Sequence, residues 1–129
     1  MKAVDTNILA RWLTRDDPVQ TPLADQVMLA PVFVPLTVLI ELSWLLTRSF
    51  HFTRTMLNEA MWALLDVETI AVASEGSVRW ALERHAEGAD LPDMLHLVAS
   101  HGADAFLSFE KHLAKLAGPD SPVPVERVA

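Results

Sequence analysis

Short apolar segments alternate with stretches of helical periodicity along this sequence, and that alternation limits the fold more than any other feature. Residues 2–4, 32–34, 69–72 and 105–107 have the length and apolar character of buried strands, and residues 123–128 could form a final edge strand. Between these segments, apolar side chains recur three and four positions apart, as on one face of a helix. Strands that alternate with helices form right-handed βαβ units. The sequence therefore predicts a three-layer α/β fold, with a mostly parallel, twisted sheet of four to five strands and helices on both faces.

The length and the residue types of the chain limit its organisation and location. A chain of 129 residues is predicted to form a single domain, residues 1–129. The longest nearly apolar run, residues 29–40, contains two prolines and is shorter than the about 20 residues that span a bilayer. The first residues lack the apolar core of a signal peptide, so we expect a cytoplasmic protein without membrane association. The absence of cysteine excludes disulfides and thiolate metal sites.

The charge and hydrophobicity of the chain constrain its partners. The net charge is −7, and an acidic protein does not attract nucleic acid through its overall charge. An RNA substrate would therefore need bound cations or a local arginine patch. Hydrophobic residues make up 51% of the chain, which is high for a small domain and suggests a surface that another chain covers.

Four acidic residues lie at or soon after the starts of predicted helices: Asp5, Glu41, Asp93 and Glu110. Three of them follow predicted strands, and Asp93 follows the loop that contains Gly88. Because parallel strands end at the same edge of a sheet, we predict that the four carboxylates converge there. Converging carboxylates repel one another unless a cation lies among them. Oxygen ligands without cysteine or paired histidines favour Mg²⁺, with Mn²⁺ as a substitute, over Zn²⁺.

Helix capping is an alternative role for several of these residues. Asp5 could cap the first helix, although its neighbours can do so equally well. Asp93 is also favoured in a first helical turn by the helix dipole, and Glu110 is predicted to follow a capping serine in the same way. The polar residues for which capping competes with a supporting role at the site are Thr6, Asn7, Asp90 and Ser108.

Glu41 gives the strongest single indication of a metal site. It lies within residues 36–46, a predicted helix that is apolar almost all round and is therefore expected to be buried. A buried carboxylate costs several kcal/mol unless it is paired, protonated or bound to a cation. A nearby arginine such as Arg48 is the alternative partner.

Four segments resemble, in the same order, the acidic motifs of PIN-domain proteins. They are residues 4–9, 34–42, 90–99 and 106–111, so the resemblance covers nearly the whole chain. The length and the start Asp5-Thr6-Asn7 are most similar to the VapC-type toxin branch of that family. The sequence departs from the family pattern at Glu110, where the family usually has aspartate.

The resemblance implies a metal-dependent endoribonuclease, the toxin of a type II toxin–antitoxin system. Asp5 and Asp93 would hold Mg²⁺, and Glu41 and Glu110 would complete the acidic cluster. A metal-activated water would cleave RNA to leave 5′-phosphate and 3′-hydroxyl ends. The implied partners are the RNA substrate, a cognate antitoxin protein and a second copy of the chain in a homodimer. The residues that would support the site or bind substrate are Asn7, Thr6, Asp90 and Ser108.

Two other hypotheses compete with the nuclease. A catalytically inactive PIN fold that binds RNA or protein is supported by the glutamate at position 110. A receiver-like phosphoacceptor signalling domain would also use an acidic metal site, but it needs a lysine at the end of a late strand. Lys111 and Lys115 are instead predicted on a helix, which argues against the receiver-like domain.

Overall fold

Two parallel β-sheets carry the fold, one in each of two compact units, Met1–Glu75 and Gly76–Ala129. The computed structural model describes all residues from 1 to 129. In chain order the elements of the first unit are β1 (Lys2–Ala3), α1 (Thr6–Thr14), α2 (Gln20–Val27), β2 (Val32–Val34), α3 (Leu36–Arg48), α4 (Arg54–Leu65) and β3 (Ile70–Val72).

The sheet of the first unit has β2 at its centre, parallel to both β1 and β3. Val32 pairs with Lys2 on one side and with Ile70 on the other. All three strands therefore end at the same edge. Asp5 follows the end of β1 there, and α3 begins at that edge after Pro35.

Helix α3 has one buried and one exposed face. Leu39, Leu42 and Leu46 recur three and four positions apart and are almost completely inaccessible to solvent. The opposite stripe contains Glu41 and Trp44, which are both exposed. The expectation that this helix is buried all round is therefore wrong, because a tryptophan that sequence hydrophobicity assigns to the core lies on the solvent side.

The second unit begins within α5 (Glu75–Ala86) and continues with α6 (Leu91–Ala99), β4 (Phe106–Ser108), α7 (Leu113–Ala117) and β5 (Val125–Arg127). Strands β4 and β5 are parallel, and Ser108 pairs with Arg127. Gly88 follows α5 with a φ of 115°, a conformation that glycine adopts without steric cost, so it ends the helix as the sequence predicts.

The predicted α/β class is confirmed by seven helices and five strands with only parallel pairing. The hydrogen-bonded strands are divided into sheets of three and two, where the sequence analysis expects one sheet. That residues 1–129 form a single domain stays a prediction. None of the helices combines the length and the hydropathy that crossing a membrane requires.

Candidate functional site

Asp5 occupies the N-cap of α1. Its backbone is extended, with φ −90° and ψ 174°, and its Oδ1 accepts a hydrogen bond of 3.1 Å from the backbone N–H of Ile8. Capping therefore falls to Asp5 and not to Thr6 or Asn7. Thr6 is buried, whereas Asn7 is exposed beside the cap. A carboxylate has a second oxygen and several lone pairs, so capping is compatible with binding a cation.

A cavity of about 350 Å³ lies beside Asp5 in the first unit. It is lined by Asp5, Asn7, Ile8, Arg11, Gln20, Leu23, Ala24 and Val27. The guanidinium of Arg11 is held there by hydrogen bonds to Gln20 at 2.9 Å and to Asp16 at 2.9 Å and 3.1 Å. The cavity thus offers a carboxylate, amides, a fixed cation and apolar side chains next to one candidate metal ligand.

Glu41 lies on the exposed stripe of α3. The prediction that Glu41 is buried and therefore needs a cation is wrong, since its exposed carboxylate carries no large desolvation penalty. The helix also has Pro35 as its N-cap residue and no side-chain cap. What supports Glu41 as a ligand is its position on a helix that begins at the same sheet edge as Asp5, together with the motif around it.

Asp90 and Asp93 begin α6 in the second unit. Oδ2 of Asp90 accepts a hydrogen bond of 3.0 Å from the backbone N–H of Asp93, so Asp90 is the N-cap. The pKa of Asp93 is raised, first by partial burial of its carboxyl group and then by the negative charge of Asp90. The positive charge of His96 lowers that pKa, and the charge of Glu110 raises it further. Asp93 is therefore a carboxyl group crowded by two other acids.

Glu110 lies in the turn that follows β4, and its backbone N–H donates a hydrogen bond of 3.0 Å to Oγ of Ser108. Ser108 is the last residue of β4 and does not start a helix, because α7 begins only at Leu113. The predicted capping role of Ser108 is thus wrong. Its hydroxyl instead fixes the turn that presents Glu110 at the carboxyl end of the strand.

The chemistry of the donors fits a hard divalent cation. In the second unit, burial of the Asp93 carboxyl group and the negative charges of Asp90 and Glu110 all raise the pKa of Asp93. Oxygen donors of this kind suit Mg²⁺ or Mn²⁺. No three His, Asp or Glu side chains are grouped in an arrangement that would itself hold a metal ion.

Two further residues at these places were not predicted from the sequence. Gln20 lines the cavity, and Phe109 is strongly exposed next to Glu110. The exposure of Phe109 has no local signal in the sequence, because aromatic residues on the apolar stripe of a helix also have polar neighbours. The contact of Gln20 with Arg11 joins two helices and has no such signal.

The family model of the PIN domain matches residues 2–119 of this chain. The chain belongs to the PIN-domain family. The matched residues run from β1 to beyond α7 and include all four acids of the predicted site. A search of curated proteins gives no match. PIN domains are generally metal-dependent nucleases, so the family assignment supports a hydrolase that acts on nucleic acid. The family resemblance that the four acidic motifs indicate is confirmed.

Proposed function

We propose that this PIN domain is an endoribonuclease that uses Mg²⁺, or Mn²⁺ as a substitute, and that it is the toxin of a type II toxin–antitoxin pair in the cytoplasm. The observation that carries the nuclease proposal is the setting of Asp93, whose pKa is raised first by partial burial of its carboxyl group and then by the negative charges of Asp90 and Glu110. A carboxyl group in that setting binds a proton or a cation to relieve the repulsion. Because PIN domains are generally metal-dependent nucleases, we propose that a divalent cation binds there.

The proposed ligands are Asp5 and Asp93, with Glu41 and Glu110 completing the acidic cluster. A bound ion would activate a water molecule for attack on the phosphodiester and stabilise the departing 3′ oxygen. The products would carry 5′-phosphate and 3′-hydroxyl ends. Glutamate at position 110 is longer by one methylene than the usual aspartate, so it would reach the ion through water or at a second, weaker position.

Four neighbouring residues would support this chemistry. Asn7 is exposed and lines the cavity beside Asp5, so its amide can contact a substrate phosphate. Thr6 is buried and can act only by positioning Asp5. Asp90 orients the backbone of Asp93, and Ser108 fixes the turn that carries Glu110.

The surface of α2 supports the proposed protein partners. Val19, Leu23 and Val27 recur every four residues and are all exposed, so they form an apolar stripe along the helix. We propose two partners for this surface. One is an antitoxin, whose arginine or lysine would enter the acidic site, and the other is a second copy of the chain in a homodimer. Inhibition of cleavage by the product of a neighbouring gene would test the toxin assignment. Cleavage that no such protein inhibits would leave a nuclease that is not a toxin.

Cleavage of end-labelled RNA by the purified protein tests the nuclease. We expect cleavage with Mg²⁺ or Mn²⁺, none in excess chelator, and none by Asp93→Asn with either ion. Asp104→Asn is the matched control, since Asp104 is an exposed aspartate of the same unit that we do not assign to the site. Cleavage by Asp93→Asn at the wild-type rate would overturn the proposal. RNA binding without cleavage would favour the catalytically inactive PIN fold.

A further inference from the structure

Phe109 presents its ring to solvent directly beside Glu110. Its side chain is 79% exposed, and Leu107, two residues earlier, is 63% exposed. A phenylalanine normally gains stability when it is buried, so an exposed aromatic ring next to a candidate active site points to a contact with a ligand.

The backbone on both sides of Phe109 is fixed. The hydroxyl of Ser108 accepts the backbone N–H of Glu110 at 3.0 Å, so Phe109 lies within a hydrogen-bonded turn. The carbonyl oxygen of Ser108 accepts the N–H of Val128 at 2.8 Å, which ties the start of the turn to the neighbouring chain segment. The ring therefore projects from a defined position, and less conformational entropy is lost when a ligand packs against it.

Two cationic side chains belong to the chain segments around Phe109. Lys111 is two residues further along the chain, and Arg127 pairs with Ser108 in the parallel register of β4 and β5. Both are exposed, and neither forms a salt bridge, whereas Arg11 and Arg15 are paired with aspartates. The exposed acids Glu110 and Glu126 are their neighbours in the chain, so the segment as a whole is not positive and the two cations offer local contacts only. An exposed aromatic ring with cations near it is typical of surfaces that bind single-stranded nucleic acid.

We propose that Phe109 is a specificity-determining residue that stacks against one unpaired base of single-stranded RNA. Lys111 and Arg127 then contact the adjoining phosphates, so that the strand passes next to Glu110. Bases within an A-form duplex are already stacked on both sides, and a protein ring can reach them only in loops, bulges and ends. The ring therefore selects unpaired segments, and stacking tolerates any base. This proposal rests on the proposed ribonuclease function and adds the residue that holds the RNA strand beside the site.

The test compares RNA binding by variants of Phe109, with Leu107→Ala as the control. Binding of a short fluorescein-labelled single-stranded RNA is measured by anisotropy in chelator, and cleavage is measured separately with Mg²⁺. We expect Phe109→Ala and Phe109→Leu to raise the Kd about 5- to 150-fold, the range for losing one base–aromatic stack. Phe109→Trp should retain binding. Leu107→Ala should leave the Kd unchanged, because leucine offers no aromatic face.

Cleavage kinetics and the salt dependence of binding separate stacking from a structural role. Phe109→Ala should raise KM with little change in kcat, and its melting temperature should equal that of the wild type because the ring is exposed. Lys111→Ala and Arg127→Ala should each reduce the slope of log K against log salt by about 0.7, whereas Phe109→Ala should leave it unchanged.

Several outcomes would overturn the proposal. If Phe109→Leu binds single-stranded RNA with wild-type affinity, the contribution of position 109 comes from apolar area and not from stacking. Equal losses of RNA affinity in Phe109→Ala and Leu107→Ala would show that the apolar surface of the segment contributes without a stacking contact. Equal affinity of the wild type for a perfect RNA duplex, or no binding of single-stranded RNA at low salt, would also refute it. A wild type that binds through Phe109 but never cleaves would instead refute the nuclease and leave the stacking role intact.

Discussion

Asp5 offers the sharpest test of whether an acid in this fold is a structural cap or a metal ligand, because it can be both. Asp5→Ala removes the 3.1 Å bond to Ile8 and should cost about 1 kcal/mol, a typical value for a lost N-cap. With an unfolding entropy of about 2.1 cal/mol/K per residue over 129 residues, that loss lowers the Tm by about 4 °C. Asp5→Asn keeps a cap of equal quality and should leave the Tm within about 1 °C of the wild type.

The two variants should nevertheless be equally inactive, because neither retains the carboxylate. We expect each to reduce metal-dependent RNA cleavage by more than about 100-fold, the upper range for the partners of metal ligands. Asp17 provides the matched control, since its Oδ1 accepts the backbone N–H groups of Val19 at 2.9 Å and Gln20 at 2.7 Å before α2. Asp17→Ala should lower the Tm similarly and leave cleavage unchanged.

Melting in chelator followed by circular dichroism gives the Tm, and single-turnover cleavage gives the activity. Wild-type cleavage by Asp5→Asn would show that Asp5 is a cap and nothing more. Equal losses of Tm in the Asn and Ala variants would refute the capping argument itself.

Three further predictions concern charge and packing. Asp93→Asn relieves a crowded carboxyl group, so in chelator its Tm should fall by no more than about 1 °C, and a larger fall would contradict the inferred repulsion. Leu42→Ala empties a completely buried position and should cost about 2–5 kcal/mol in urea unfolding, whereas a cost below this range would place Leu42 outside the core. Arg15 lowers the pKa of Asp25 by hydrogen bonding, so this carboxylate contributes stability above its unfolded pKa that is lost as the pH falls through its folded pKa. Asp25→Asn should therefore flatten the acid side of a plot of Tm against pH, and an unchanged acid side would argue against the pairing.

Local signals in the sequence predicted those parts of the fold that depend on a few neighbouring residues. Gly88 ends α5 because a positive φ is required there, and Asp90 caps α6 through a bond to a backbone group three residues away. The division of the strands into two sheets had no such signal. Which strands pair depends on contacts between residues far apart in the chain, and the apolar pattern of β4 resembles that of β2.

The residue types of the candidate site stay a prediction, whereas two predictions about their surroundings are wrong. Glu41 was expected to be buried because its neighbours are apolar. Instead, the side of α3 that carries Glu41 and Trp44 faces solvent. Ser108 was expected to cap a helix, and the strand instead extends to it before a turn. In both cases the motif marked the residue, while the packing of the segment around it was decided by tertiary contacts.

The parallel arrangement of every strand has a consequence for how quickly a new chain becomes active. Parallel neighbours cannot be joined by a tight turn. The connection from β1 to β2 contains α1 and α2, and the connection from β2 to β3 contains α3 and α4. Sheets of this kind close only after distant segments meet, which slows folding relative to helical bundles. Asp5 acquires its place at the end of β1 only when that sheet has formed. A freshly synthesised molecule would thus pass through an interval in which Asp5 is not yet in place at the edge of the sheet.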